Sequence, residues 1–219
     1  MLESIFNNTM KPSKIILTIC KKDSDFLTAY LKEMIKNKRI ELILTDTNLK
    51  SHNKYFEVMK KYRDYAIITI DDYIIYRNNL IETLYNSYIK NPNCVHAMLV
   101  HKIMIKNNKT LPFNKWLKNY SFELNPSFYL FPISEGGILF PPNILNITDD
   151  NINEIYKCLP SEEIYIKYLS RKRNIKIVWS PNKILEESKD LVSQSKKPYK
   201  RIKKDYLFND TILNIFPII

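Results

Sequence analysis

Glycine is almost missing: Gly136 and Gly137 are the only two in 219 residues. Average usage of ~7% would give roughly 15. Ile, Asn and Lys are abundant and Tyr reaches 15, the bias of an A/T-rich coding genome. The common residue types therefore say little about function, and a surviving glycine pair says more. Cysteine is also scarce. Cys20, Cys94 and Cys158 are odd in number and widely spaced, with no CxxC pair. That argues against a zinc site or a disulfide framework and favours reduced, mostly buried thiols in a cytoplasmic protein. No stretch approaches the ~20 apolar residues of a membrane span. The first ten residues, Met1 to Met10, lack the apolar core of a signal peptide.

Hydrophobic residues make up 45% and charged residues 26%, the balance of a globular chain. The length suits one domain with a sizeable core. The net charge of +11 would attract nucleic acid, acidic lipid or phosphorylated ligands. Helix-turn-helix, zinc-finger and aromatic-basic RNA signatures are all missing, so nucleic acid is not the expected partner.

Hydrophobic periodicity organises the first half. Lys14 to Cys20, Glu41 to Thr45 and Ala66 to Ile70 read as strands. Between them, Phe26, Leu27, Tyr30, Leu31, Met34 and Ile35 follow helical spacing, with Ser24 as candidate N-cap. Ser51 can cap a helix carrying Phe56, Met59 and Tyr62, and residues 80–89 form a strongly periodic helix. This alternation predicts an α/β fold with a mostly parallel central sheet. Val95 to Ile105 reads as one strand, residues 107–135 as loops, and 138–140 as a strand. Short helices follow near 149–158 and 161–171, then a strand at 175–179. We divide the chain into a domain over residues 1–187 and a basic tail over 188–219, ending in a short amphipathic segment.

Asp71 and Asp72 directly follow the strand at 66–70, whose residues are apolar on both faces. Ligands of open α/β sheets bind beyond the carboxyl ends of strands. Two adjacent carboxylates there can hold magnesium or manganese together with substrate phosphates, or merely start a turn and cap the next helix. Gly136 and Gly137 suit either a tight turn or close backbone approach to a ligand. Glu162 and Glu163 sit in the first turn of a helix that Ser161 can cap. Acidic residues there complement the helix dipole, and a general base is the functional alternative. His96 and His101 fall five apart on one expected strand, hence on opposite faces. Trp116 and Trp179 offer rings for a sugar or for the core.

Several segments together resemble bacterial glycosyltransferases of the GT-A fold that build surface polysaccharides. They are Asn48 to Phe56, Ile67 to Tyr76, Asn91 to Val95, His101 to Ile103, Phe113 to Trp116, Gly136 to Pro142 and Leu159 to Tyr165. The resemblance implies a metal-binding acidic motif at Asp71 and Asp72, holding manganese or magnesium. It also implies a glycine pair near the acceptor pocket at Gly136 and Gly137, and an acidic pair at Glu162 and Glu163 that deprotonates the acceptor. Trp116 and His101 become donor- or acceptor-binding candidates. The implied activity moves a sugar from a nucleotide-sugar donor to a glycan or glycolipid acceptor. The alternative is a non-catalytic or impaired relative that keeps the fold.

The chain departs from that pattern at three places. Tyr73 stands where a third Asp is usual, and Leu99 where Arg is usual. The strand that relatives carry before the segment Glu3 to Lys14 is not found. A sheet without it has a free edge, which predicts self-association. The lysines and arginine of residues 196–204 would meet an anionic membrane surface, placing the protein on the inner face of the cell membrane.

Overall fold

The computed structural model describes residues 1–159, 161–181 and 210–218. The chain opens with a short helix α1 (Leu2–Phe6), strand β1 (Ile16–Cys20), helix α2 (Ala29–Lys36) and strand β2 (Glu41–Thr45). β1 and β2 pair in parallel, Ile16 opposite Glu41 and Cys20 opposite Thr45. Helix α2 starts later than its apolar spacing suggests. Lys21–Phe26 forms a 3-10 turn, and Thr28 rather than Ser24 caps α2 by accepting from the Leu31 amide. A second 3-10 turn, Lys50–Lys54, leads into α3 (Phe56–Lys61).

Strand β3 (Ile67–Thr69) precedes α4 (Leu80–Lys90), whose spacing buries Leu80, Ile81 and Leu84 on one face. The first turn of α4 is satisfied from a distance. Buried Asn8 accepts from the Ile81 amide at 3.0 Å and donates to the Arg77 carbonyl at 3.2 Å. That linkage fastens α1 to the start of α4 and answers part of the terminal amide demand of a helix.

The expected strand over 95–105 is broken into three: β4 (Val95–Ala97), β5 (Val100–Lys102) and β6 (Ile105–Lys106). β6 makes a small hairpin with β7 (Lys109–Thr110), and β5 pairs with β8 (Leu130–Pro132). β9 (Ile138–Phe140), α5 (Ile152–Lys157), α6 (Glu162–Lys172) and β10 (Ile177–Trp179) complete the described elements, with a helical turn at 210–215.

The fold is mixed α/β. The expectation of a mostly parallel central sheet is corrected. The main sheet runs β10-β4-β9-β3, and β9 is antiparallel to both of its neighbours. β10 and β4 are parallel, as are β1 and β2, which form a separate pair. The cause is long-range: β9 returns from the 107–135 region and inserts between β3 and β4, where local periodicity gives no warning. Two apolar clusters flank this sheet. The larger joins Tyr55, Phe56, Phe140, Tyr165 and Phe216, and the smaller joins Ile5, Leu80, Leu84 and Leu139. Among the described residues, no helix is long and apolar enough to cross a membrane. The basic residues of 196–204 lie outside the described residues.

Candidate functional site

Three loop ends and one helix start meet beyond the carboxyl end of β3. The register of β3 with β9 sets Thr69 opposite Ile138, which carries Gly137 and Gly136 level with Ile70 and Asp71. Both glycines have backbone reasons to be glycine. A Cβ on Gly136 would lie 2.5 Å from the Leu99 Cβ, and Gly137 has φ +85°. The turn that contains them also brings Ser134 and Glu135 to the same place.

Lys54, the last residue of the second 3-10 turn, stands at the centre. Its Nζ lies 2.6 Å from Asp71 Oδ1 and also pairs with Glu162 Oε1. Ser134 Oγ donates to the same Glu162 oxygen at 2.5 Å. On the other side of Asp71, the Tyr73 hydroxyl lies 3.0 Å from Oδ2 and 3.2 Å from Glu135 Oε1. The Asp71 amide donates to the Tyr76 hydroxyl at 2.8 Å. Three carboxylates are thus linked through one ammonium and one phenol, leaving the cluster net negative.

Buried His52 fixes the two halves of this arrangement. Its Nε2 donates to the Cys158 carbonyl at 3.0 Å, so its Nδ1 accepts from the Tyr55 hydroxyl at 2.6 Å. Burial pushes its pKa down to about 4, so the ring is neutral and this tautomer follows. The bond ties the turn bearing Lys54 to the chain just ahead of α6, which begins with Glu162.

Glu162 is the perturbed acid. It is 3% exposed, and burial followed by the neighbouring Glu163 raises its pKa to about 7, against the opposing pull of Lys54 and Ser134. Its Oε2 is buried with no hydrogen-bond partner. Such an orphaned acceptor is costly unless a ligand or water completes it. A helix-dipole role suits half-exposed Glu163 but does not account for this burial.

Asp72 is exposed beside Asp71. The capping alternative for this pair is not realised at Ile81, where Asn8 does the work. Among the described residues, no group of three or more His, Cys, Asp or Glu side chains could hold a metal ion by itself. The donor set fits a divalent ion only with help. Lys54 occupies Oδ1 of Asp71 and the Tyr73 hydroxyl lies on Oδ2, so an ion would share Oδ2 with that hydroxyl and take Asp72, with phosphate oxygens supplying the remaining ligands.

Trp116 packs away from this cluster, whereas His101 is near enough to Glu135 for that carboxylate to oppose the lowering of its pKa. Trp116 is 3% exposed, donates to the Leu111 carbonyl at 2.8 Å, and packs on Phe113 and Phe131. That is a core position with no open face for a sugar. His101 accepts from the Asn119 amide at 3.2 Å and lies beside Phe113, with its pKa lowered to about 4 by burial. His96 is on β4 and His101 on β5, so their expected relation across a single strand is corrected by the break at 98–99. Sequence reasoning missed Lys54 and Ser134. The available signal was position: Lys54 lies inside the segment Asn48 to Phe56 that carries the resemblance, and Ser134 two residues before the glycine pair. No family model matches the chain, and no curated protein matches it.

Proposed function

We propose that the chain is a sugar-transfer domain, moving a glycosyl group from a nucleotide-sugar donor to a hydroxyl of a cell-surface glycan or glycolipid. The state of Glu162 carries this reading. Its carboxyl is buried, poised near neutral pH, held by Lys54 and Ser134 through one oxygen and unpartnered at the other. A general base should have a pKa near the working pH and a free lone pair aimed at its proton. In an inverting transfer, Glu162 Oε2 takes the acceptor hydroxyl proton as that oxygen bonds to the anomeric carbon. The bond from this carbon to the donor phosphate breaks, and the nucleoside diphosphate leaves with the electron pair.

Lys54 keeps an ionised fraction of Glu162 available and restrains its rotamer. The close approach of Gly136 to Leu99 keeps the neighbouring turn thin. A divalent cation held by Asp72 and Asp71 would neutralise charge on the departing diphosphate. The ordered resemblance to GT-A glycosyltransferases of surface polysaccharide assembly supports the same class. A non-catalytic relative is the second reading, favoured by Tyr73: it stands in the third acidic position, and its hydroxyl bonds to Asp71. A thermal-shift screen of nucleotide sugars with and without manganese separates the two, because a ligand that binds the folded state raises apparent stability. Transfer predicts a manganese-enhanced shift with at least one nucleotide sugar. No shift across the panel contradicts it.

A further inference from the structure

A group of exposed apolar side chains lies outside the site just described. Phe122 is 84% exposed and Leu124 63%, and Leu117 and Tyr129 are exposed as well. The backbone gathers them around one lysine. Residues 117–120 follow the outer edge of β5. Leu117 and Lys102 exchange main-chain bonds of 2.8 and 3.1 Å, and the Tyr120 amide donates to the Val100 carbonyl at 2.8 Å. β8 holds the other edge of β5, and the Tyr129 carbonyl just ahead of it accepts from the Ile103 amide at 2.8 Å. Lys102 stands between these flanks, its Nζ 5.3 Å from the Tyr120 ring centre and 5.7 Å from that of Tyr129. The Phe122 ring meets Tyr120 edge-on at 5.6 Å. Residues 99–132 hold five lysines, Lys102, Lys106, Lys109, Lys115 and Lys118, against one acid, Glu123. Glu123 is paired with Lys102, and Lys106, Lys109 and Lys115 are exposed.

We propose that this surface, residues 117–129 with the lysines beside it, docks on an anionic lipid bilayer. Large apolar side chains that stand clear of the fold are placed to enter the boundary between headgroups and acyl chains, with tyrosines and lysines at the polar level. The excess of lysine selects a negatively charged surface. A second copy of the chain suits the patch poorly, because its own lysines would face those of the first. Exposed leucines also count against a single-stranded nucleic acid, whose bases are met by stacked rings. The surface is separate in sequence from the basic residues of 196–204. It lies close to the site, since β8 leads from Tyr129 to Ser134, at most ~17 Å of extended chain. If the proposed transfer activity holds, that distance brings a membrane-held glycolipid acceptor toward Glu162; the docking itself does not rest on that reading.

The test places a reporter in the patch of the full chain. Trp116 is buried and Trp179 is held by the Met98 carbonyl at 3.2 Å, so in Phe122→Trp the indole at the exposed position is the one set to change surroundings. Vesicles of phosphatidylcholine and phosphatidylglycerol at about three to one are added, plain and with brominated acyl chains. Emission of Phe122→Trp should shift to the blue and be quenched by the brominated lipid, and both effects should vanish with phosphatidylcholine alone. Changing Lys106, Lys109 and Lys115 to Gln on that background should raise the lipid needed at least about tenfold at low salt. Leu124→Ser should raise it about fivefold. All four side chains are exposed, so Tm should hold to within about 2 °C for each variant. An absence of quenching at residue 122 would overturn the proposal, even with the chain co-sedimenting with vesicles, since another surface would then hold the bilayer. So would equal quenching in neutral vesicles, or a blue shift that grows with protein concentration without lipid, the mark of a second copy. None of these readouts involves sugar transfer, so docking and the proposed activity fail separately.

Discussion

Replacing Glu162 by Gln should remove a distinctive pH dependence of stability. The folded carboxyl has its pKa raised from 4.5 to about 7, chiefly by burial. A raised folded pKa means that the folded state holds a proton the unfolded state has released. The contribution is fully present below pH 4.5 and is lost as pH climbs through 7. Its full size is about 3 kcal/mol, since each pH unit of separation is worth about 1.4 kcal/mol. The buried histidines act in the opposite sense. His52, His96 and His101 have pKa values lowered to about 4 by burial, so their contribution is lost as pH falls from 6.5 toward 4. The raw pH profile therefore mixes two trends, and the difference between wild type and Glu162→Gln isolates one. Urea unfolding at half-unit steps from pH 4.5 to 8 reads it directly. Wild type should lose about 3 kcal/mol relative to the variant over that window. Lys54→Met, which removes the ammonium favouring ionised Glu162, should extend the loss to higher pH. A flat difference, or one that grows in favour of wild type with rising pH, would refute the account of a strained, buried acid.

Three further outcomes follow from particular contacts. Gly136→Ala places a methyl 2.5 Å from Leu99 Cβ and 2.7 Å from its amide nitrogen, and should cost about 2 kcal/mol in urea unfolding, as overpacking does. Lys167 is fully buried, donates to the Phe128 carbonyl at 2.6 Å, and has its pKa lowered to about 7 by burial. Stability should rise between pH 7 and 10.5 as the unfolded chain alone stays protonated, and Lys167→Met should flatten that rise. Exposed Asp72 can change to Asn with stability held to within about 0.5 kcal/mol, while calorimetry should show weaker manganese-dependent binding of a nucleoside diphosphate.

Much of the fold was legible wherever a short apolar run met an unbroken period. β1, β2, β3 and α4 lie close to their expected places because each is specified by its own side-chain pattern. The insertion of β9 was not legible, since three residues, Ile138–Phe140, carry no information on which strands they will join. The break in the 95–105 run had the same origin. Leu99 lies against Gly136, and the Met98 amide donates to the Gly137 carbonyl at 3.2 Å, contacts set by a segment almost forty residues away. At the site, Asp71 and Glu162 could be picked out by their places at a strand end and a helix start. Lys54 could not. In a chain with 34 Lys and Arg residues, one more lysine has no contrast until burial shows that it must have partners. Trp116 failed for the complementary reason: a large ring serves core packing as readily as a sugar, and of the rings it packs on, Phe113 is three residues away but Phe131 is fifteen residues on.

The central claim is that Glu162 accepts a proton during sugar transfer. It is tested most directly by the pH dependence of nucleoside diphosphate release from a nucleotide-sugar panel, with manganese and a glycan acceptor present, for wild type and Glu162→Gln. The account predicts release that rises with pH through about 7, the raised pKa of Glu162, and falls at least about a hundredfold in the variant, the typical loss on removing a general base. Release by the variant at the wild-type rate, or a wild-type profile that stays level from pH 5 to 8, would contradict it.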